Sequence, residues 1–189
     1  MRKIFKIIIA IFAVLIILAV SFGALIFLDL AAYTATGSQT LTTNGTSAGK
    51  ALVIYDPGLS GTSKGVADKV ANDLQAKGYD VTLAGIKSSV AAHITGYKVI
   101  VVGGPVYAGG LTSSVKDTLN NLDLSHGQGN KLGIYGSGQG ATSPTDIAQI
   151  KQSLPTRSEN SLSEAVVVKI GSGEDLNTRA EDFVNQLLT

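Results

Sequence analysis

Cysteine is absent from the 189-residue sequence, and its absence removes several classes of chemistry at once. Without thiols the chain forms no disulfide, no thiolate zinc site and no cysteine-ligated iron–sulfur cluster, and it has no cysteine nucleophile. Histidine is scarce too, since His93 and His126 lie far apart with no carboxylate or second histidine at metal-ligand spacing. The sequence therefore predicts no metal site.

Charged residues are also few, at 15% of the chain, against roughly 25% in a typical soluble protein. Their distribution is uneven. Arg2, Lys3 and Lys6 precede the first acidic residue, Asp29, whereas from Lys50 onward the acidic side chains outnumber the basic ones by one. A near-neutral domain without a basic run argues against nucleic acid as a partner.

One apolar segment, residues 7–28, contains no charged side chain at all. A helix over this segment would be about 33 Å long at about 1.5 Å per residue, which is enough to cross a hydrocarbon core of about 30 Å. We expect a retained single-pass anchor within residues 1–30, with membrane lipid as its partner. The alternative is a cleaved signal peptide, although the apolar core of such peptides is shorter, at roughly 7–15 residues.

The flanks of the apolar segment predict its orientation and the character of the next segment. Basic residues precede the apolar segment and none is found after it before Lys50, so the positive-inside rule places the N-terminus in the cytoplasm and the remaining chain outside the cell membrane. Residues 31–49 are rich in Thr, Ser, Gly and Ala and show neither charge nor apolar periodicity. This composition predicts a flexible linker between the anchor and a folded domain.

Beyond residue 50 the pattern changes to short apolar runs separated by amphipathic stretches. Four runs rich in β-branched residues are typical of strands buried on both faces, and one alternating run fits an edge or half-covered strand. The five predicted strands are residues 51–55, 79–83, 99–102, 132–135 and 165–170. Because amphipathic helical stretches alternate with them, we predict one α/β domain over residues 50–189, with a parallel sheet and helices on both faces.

Ligands of such sheets bind beyond the carboxyl ends of the strands, which draws attention to the loop Asp56–Lys64, DPGLSGTSK. Its glycines let backbone N–H groups turn inward, its hydroxyls add donors, and the following helix directs its positive dipole end at the same place. An anionic group such as a phosphate suits this loop, although it matches neither the Walker A pattern nor G-x-G-x-x-G. The alternative is a solvated turn whose Ser and Thr residues only cap the helix.

Two segments together resemble the flavodoxin family. Ser60–Ala67 (SGTSKGVA) is similar to the family's phosphate loop where it enters a helix. Gly96–Tyr107 (GYKVIVVGGPVY) is similar to the family's third strand and to the Gly-x-Pro-x-aromatic turn after it. The resemblance covers about residues 50–189 and implies a flavodoxin-like, doubly wound, five-stranded parallel sheet that binds FMN.

The resemblance also implies which residues bind FMN. The loop after the first strand would hold the phosphate, the isoalloxazine would lie along the turn after the third strand, where Tyr107 can stack on it, and the loop after the fourth strand would close the other side. These three groups are Gly58, Leu59, Ser60, Gly61, Thr62 and Ser63; Pro105, Val106, Tyr107, Ala108 and Gly109; and Gly136, Ser137 and Gly138. Two features depart from the family: the loop Gly136–Gly140 lacks the second aromatic residue that the family often has there, and Asp56 brings a carboxylate close to the expected phosphate position.

These observations predict a membrane-anchored, FMN-binding electron-transfer protein in which the flavin carries the chemistry and no catalytic side chain is required. Its electron partner would be a redox protein that the sequence does not identify. Ser137 does not lie in a G-x-S-x-G motif, so serine hydrolysis has no support. Two alternatives stay open: the same fold without flavin, as a binding or structural module, and an NAD(P)H-dependent FMN quinone or flavin reductase.

Overall fold

The chain folds as a long N-terminal helix followed by an α/β domain in a computed structural model that describes residues 2–28, 30–122, 130–156, 162 and 164–189. Helix α1 comprises Arg2–Leu28 and is apolar on every side. One stretch of it, Lys3–Ala24, is long and apolar enough to cross a membrane, a property that signal sequences share. His126 lies outside the described residues.

All five predicted strands are present and form one parallel sheet. They are β2 (Gly49–Tyr55), β3 (Tyr79–Gly85), β4 (Val99–Tyr107), β6 (Lys131–Gly138) and β7 (Val166–Gly171). The order across the parallel part of the sheet is β3-β2-β4-β6-β7, so the winding direction reverses between β2 and β4. The central strands are almost continuously buried because helices cover both of their faces, as their apolar runs predict.

Two short antiparallel strands join this sheet in addition to the predicted five. Strand β1 (Ser38–Leu41) pairs with β3, with Ser38 opposite Ala84 and Leu41 opposite Val81. Strand β5 (Gly110–Leu111) folds back on the end of β4. The prediction of a flexible linker is therefore wrong for Ser38–Leu41, which the backbone hydrogen bonds of an edge strand hold on the sheet.

A short 3-10 helix, Leu30–Thr34, further ties the start of the domain to the sheet. The side chain of Ala32 is fully buried in the core, and Ala35 is 5% exposed. The carbonyl of Ala35 accepts the N–H of Lys87 at 2.9 Å, and Gly85 donates its N–H to Gly37 at 2.9 Å. The chain thus enters the sheet beside the carboxyl end of β3 and runs from there along β1 in the opposite direction.

Four helices cover the two faces of the sheet, at the positions that the apolar spacing predicts. They are α2 (Thr62–Ala76), α3 (Ser113–Asn121), α4 (Pro144–Ser153) and α5 (Leu176–Leu188). Helices α2 and α5 pack together on one face, while α3 and α4 contribute to the core on the other. A short 3-10 helix, Ser89–Ala92, lies between β3 and β4.

Side chains cap the starts of two helices, α4 and α5. Ser143 precedes α4, and its side chain accepts the N–H of Asp146 while the Asp146 side chain accepts the N–H of Ser143, a complete capping box. Asp175 caps α5 by accepting the N–H of Thr178 at 2.7 Å. These side chains satisfy N–H groups that the first turn of each helix leaves without partners.

The ring of Tyr135, the largest fully buried side chain, lies against Gly103 in the middle of the sheet. A Cβ atom on Gly103 would lie 2.0 Å from Cε1 of Tyr135, so no other residue fits there without a shift. The Tyr135 hydroxyl donates to the Ser63 carbonyl at 3.0 Å. Burial raises the pKa of this hydroxyl well above its ordinary value, so it remains a hydrogen-bond donor.

We expect Gly103→Ala to lower the free energy of unfolding by about 1–3 kcal/mol, because the new methyl group overpacks the core against Tyr135. Gly65→Ala is the control: Gly65 lies inside α2 and its Cβ would meet nothing within 4 Å, so alanine should stabilise by roughly 0.5–1 kcal/mol. Urea unfolding of the chain from residue 30 onward measures both. Equal effects of the two substitutions would contradict the packing of Tyr135 on Gly103.

Candidate functional site

Three connections meet at the carboxyl edge of the sheet, which we define as the edge where the parallel strands end. They are the loop after β2, the hairpin formed by β4 and β5, and the loop after β6. The first two flank the point between β2 and β4 where the winding direction reverses. In open α/β sheets ligands bind in the crevice at such a point.

The loop after β2 bends at two glycines and leaves the start of helix α2 open. Gly58 and Gly61 have φ angles of 63° and 72°, in the left-handed region that glycine adopts without strain. Gly61 is the N-cap residue of α2 and provides no side-chain cap. The first turn of α2 therefore presents backbone N–H groups and the positive end of the helix dipole toward the crevice.

Asp56 organises this loop from inside the protein. Its carboxylate is fully buried and accepts three hydrogen bonds, from the Gly58 N–H at 2.9 Å, the Thr112 hydroxyl at 3.0 Å and the Ser114 hydroxyl at 2.5 Å. We call Asp56, Thr112 and Ser114 the Asp56 cluster. The Asp56 carboxylate is thus buried and hydrogen-bonded to three donors of the domain itself. It is therefore not an exposed negative charge that would repel an anion in the crevice. The Gly58 N–H, predicted to hold a phosphate, is bound within this arrangement instead.

The hydroxyls of Ser60 and Thr62 lie at the mouth of the crevice. Both residues are exposed, their oxygens are 2.9 Å apart, and Ser60 Oγ accepts the Thr62 N–H at 3.3 Å. Ser63 differs from its neighbours, because its side chain is 1% exposed and lies 3.2 Å from the Tyr135 hydroxyl. The Ser63 hydroxyl therefore faces the sheet and not the crevice, because of its position in α2; a phosphate contact of the Ser63 backbone stays a prediction.

Tyr107 connects the hairpin to the loop after β2. It is the last residue of β4, half-buried, and its hydroxyl accepts the N–H of Leu59 at 3.4 Å. The next two residues, Ala108 and Gly109, form the turn into β5 with φ angles of 49° and 82°. Two positive φ angles in a two-residue hairpin are typical of a type I′ turn. The side chain of Tyr107 thus lies beside the loop after β2, and its stacking on a ligand stays a prediction.

Two residues that were predicted to lie in the turn after the third strand are part of the strand itself. Strand β4 continues through Pro105 and Val106 rather than ending at Val102. Pro105 is buried against Gly58, whose Cβ would lie 2.9 Å from the Pro105 ring. Pro105 therefore supports the loop after β2 from below, and only Val106–Gly109 reach the surface of the crevice.

The third predicted group also lies in a strand. Gly136 and Ser137 are buried residues of β6, and a Cβ on Gly136 would lie 2.4 Å from a methyl group of Val106. The strand ends at Gly138, which is half-exposed, and the loop starts at Gln139. The expectation that Gly136 and Ser137 lie in the loop after the strand is therefore wrong, because the sheet continues through both; their contact with a ligand stays a prediction.

A buried lysine behind the loop after β6 was missed in the sequence. Lys169 of β7 is 7% exposed, and its ammonium lies 3.1 Å from the carboxylate of Asp146. The same carboxylate accepts the N–H and the hydroxyl of Ser143, at 2.9 Å and 2.8 Å. A charged residue inside the apolar run AVVVKI was the available signal, because a buried lysine needs a partner.

These contacts lower the pKa of the Asp146 carboxyl. The Ser143 N–H contributes most, followed by the Ser143 hydroxyl and the Lys169 ammonium, since each favours the ionised form.

Glu174 supports the same loop from the other side, because it accepts the N–H of Gly171 at 2.8 Å and the hydroxyl of Thr142 at 2.6 Å. The two carboxylates hold the start of α4 against the end of β7.

The described residues contain no group of three His, Cys, Asp or Glu side chains that could hold a metal ion. The chemistry available at the carboxyl edge is instead that of an anion site with an aromatic neighbour. Exposed hydroxyls and the open start of α2 lie beside Tyr107, and the one carboxylate at this point is buried under the loop. An oxyanion such as a phosphate fits these donors.

No protein-family model matches this chain, and no curated protein does, but solved structures match. An NADH:FMN oxidoreductase in its apo form is 13% identical with a TM-score of 0.55, covering 74% of this chain and 88% of that one. A flavodoxin from Streptococcus pneumoniae is 20% identical with a TM-score of 0.50, covering 74% and 97%. A WrbA-like flavodoxin from Agrobacterium tumefaciens is 17% identical with a TM-score of 0.50, covering 75% and 98%.

At these identities the comparisons establish the fold. The domain is flavodoxin-like, and the fold class implied by the motifs around Ser60–Ala67 and Gly96–Tyr107 is confirmed. What the domain binds is a separate question that the site residues have to answer.

We expect Asp56→Asn to lower the free energy of unfolding by about 1–3 kcal/mol, because the new amide group is a donor where Thr112 and Ser114 need an acceptor. Asp68→Asn is the matched control, since Asp68 forms an exposed ion pair with Lys64 inside α2 and should change stability by less than about 0.5 kcal/mol. Urea unfolding distinguishes them. A loss for Asp56→Asn as small as that for Asp68→Asn would refute the role of the Asp56 cluster.

The lowered pKa of Asp146 predicts how its contribution to stability varies with pH. A carboxyl whose folded-state pKa is below its unfolded value stabilises the fold at pH values above the unfolded pKa, and this contribution disappears as the pH falls through the folded pKa. Asp146→Asn should therefore destabilise the domain at neutral pH and lose this effect in acid, below pH about 4. The urea unfolding midpoints of the wild-type protein and of Asp146→Asn, measured across the pH range, give this difference in stability. A difference that increases as the pH falls would contradict the prediction.

Proposed function

We propose that the domain binds FMN at the carboxyl edge and transfers electrons as a membrane-anchored flavodoxin-like protein. The observation that carries the proposal is the open start of α2, flanked by the exposed hydroxyls of Ser60 and Thr62, directly beside Tyr107. The flavodoxin-like fold and its likeness to flavodoxins support the choice of ligand. Bound FMN would supply reversible electron transfer.

The phosphate-binding residues differ in part from those that the sequence predicts. Ser60 and Thr62 would donate hydroxyl hydrogen bonds, and the N–H groups at the start of α2 would add their dipoles. Gly58 acts through its conformation, because its own N–H donates to Asp56. The Ser63 hydroxyl takes no part, since it is buried beside Tyr135.

Tyr107 and the Ala108–Gly109 turn form the side of the crevice that a flat ring would face. An aromatic ring at this position excludes water from the ligand and stacks on a planar, electron-poor neighbour. The bond between the Tyr107 hydroxyl and the Leu59 N–H holds the aromatic ring next to the phosphate-binding loop. In this proposal the chain binds, orients and shields the cofactor, and no side chain acts as an acid, base or nucleophile.

The membrane part of the proposal rests on α1. A stretch of this helix is long and apolar enough to span a bilayer, and the basic residues before it favour a cytoplasmic N-terminus with the domain outside. A reporter fused after Thr189 and assayed on both sides of the membrane tests this orientation. Activity on the cytoplasmic side would reverse it.

A reductase is the second candidate, because the matched structures include an NADH:FMN oxidoreductase with a TM-score of 0.55. An electron carrier and a reductase differ in how fast reduced nicotinamide delivers electrons to the flavin. Stopped-flow mixing of the FMN-loaded protein with NADH or NADPH separates them. Reduction within the range of enzyme turnover favours the reductase, and slow reduction favours the carrier.

We expect the chain from residue 30 onward to take up FMN more tightly than riboflavin, because riboflavin lacks the phosphate. Thr62→Val removes an exposed hydroxyl at the start of α2 and should weaken FMN binding about tenfold while leaving riboflavin binding unchanged, since a hydrogen bond to a charged group contributes about 1.5–3 kcal/mol. Thr46→Val, at an exposed position on the opposite edge of the sheet, is the control. Flavin fluorescence titration measures the affinities of the wild-type chain, Thr62→Val and Thr46→Val for both flavins.

Equal affinity of the wild-type chain for FMN and riboflavin would contradict the phosphate site. Failure of the colourless chain to take up either flavin would instead favour the flavin-free module. The visible spectrum of the purified protein provides an independent reading, because a bound flavin absorbs in the visible range and the polypeptide does not.

A further inference from the structure

The way in which the anchor joins the domain determines which edge of the sheet is near the membrane. Helix α1 ends at Leu28, and the first fully buried residue of the domain is Ala32. Four residues span at most about 14 Å, whereas the head-group layer on each side of a bilayer is about 5–8 Å thick. If α1 spans the membrane, Ala32 is held within a short distance of the lipid head groups.

The entry point of the chain lies at the carboxyl edge. Strand β1 is antiparallel to β3, and its first residue, Ser38, pairs with Ala84 at the end of β3. Just before β1, the carbonyl of Ala35 accepts the N–H of Lys87, which follows β3. The short connection from α1 therefore arrives where the parallel strands end, and not at their beginnings.

This edge also carries the apolar side chains that the domain leaves exposed. Among the described residues outside α1, the large apolar side chains that are exposed are Leu30 at 45%, Tyr33 at 65% and Leu59 at 49%. Leu30 and Tyr33 precede the entry point, and Leu59 lies in the loop after β2. The ammonium of Lys87 lies 5.0 Å from the centre of the Tyr33 ring, and such aromatic and basic side chains are typical of a membrane interface.

We infer that the carboxyl edge, with the candidate site on it, lies against the surface of the bilayer that α1 spans. Strand β2 is next to β3, and β4 is the strand after it, so at about 4.8 Å per strand the site lies roughly 5–10 Å from the entry point. The inference rests on the membrane anchoring in the proposed function. A partner that exchanges electrons with this site has to reach it along the lipid surface.

The absence of cysteine makes the inference directly testable by single-cysteine labelling of the full chain. Ala108→Cys places a probe in the hairpin turn at the carboxyl edge, and Ala76→Cys places one at the end of α2, near the opposite edge. Both alanines are exposed, and the two edges are about 23 Å apart, because β2 has seven residues at about 3.3 Å each. Ser89→Cys is a second carboxyl-edge probe should Ala108→Cys fail to fold.

The labelled proteins are reconstituted in phosphatidylcholine vesicles that contain nitroxide-labelled head groups, and the loss of probe fluorescence is measured. We expect the probes at residues 108 and 89 to lose most of their emission and the probe at residue 76 to retain it. Quenching at residue 76 equal to or stronger than that at residue 108, or no quenching at either edge, would overturn the inference.

A probe introduced by Ser21→Cys, inside α1, separates this inference from the proposed function. Quenching at residue 21 by lipid with a nitroxide in its acyl chain shows that α1 enters the bilayer, so an unquenched probe at residue 108 then refutes only the orientation of the domain. An unquenched residue 21 refutes the anchor and the inference with it. FMN uptake by the proteins labelled at residues 76 and 21, which lie outside the candidate site, is read from their visible spectra and tests cofactor binding independently of either result.

Discussion

The buried carboxylate of Asp56 holds together the part of the domain that forms the candidate site. It lies where the winding of the sheet reverses, and it accepts hydrogen bonds from the loop after β2 and from the hydroxyls of Thr112 and Ser114 at the start of α3. A buried carboxylate without donors would cost several kcal/mol, so these three donors have to be present together. Gly104 makes this possible, since a Cβ there would lie 3.0 Å from the Asp56 side chain and 2.5 Å from Val115.

The same constraint explains why the sequence predicts the strands well but their ends poorly. Runs such as VIVV are strands because both faces are buried, and apolar periodicity detects this directly. The following GGPV has the composition of a turn, yet it continues β4, because Gly103 and Gly104 accommodate the Tyr135 ring and the Asp56 cluster at close approach. Glycine selected for lack of a side chain and glycine selected for a turn look the same in a sequence.

Other features were missed for different physical reasons. Strand β1 has the burial pattern of an exposed edge, so its backbone pairing with β3 leaves no apolar signature in SQTL. The position of Ser63 was detectable, because it lies three and seven residues before Val66 and Val70 and shares their buried face of α2. The sequence thus predicts where the candidate site lies. Assigning individual hydroxyls to it additionally requires knowing which residues of α2 face the sheet.

In the proposed membrane-anchored arrangement, strand β1 restricts the orientation of the domain in a way that a flexible linker could not. A tether over residues 31–49 would let the domain sample every orientation, since the reach of a Gly/Ser-rich coil grows with the square root of its length. Pairing of Ser38–Leu41 with β3 and burial of Ala32 remove most of that freedom. Because β1 is antiparallel, it brings the anchor to the edge that also carries the loop after β2 and the hairpin; a parallel strand at the same place would have brought it to the opposite edge. In that proposed arrangement, the direction of one short, polar strand decides whether the candidate site faces the lipid or the solvent.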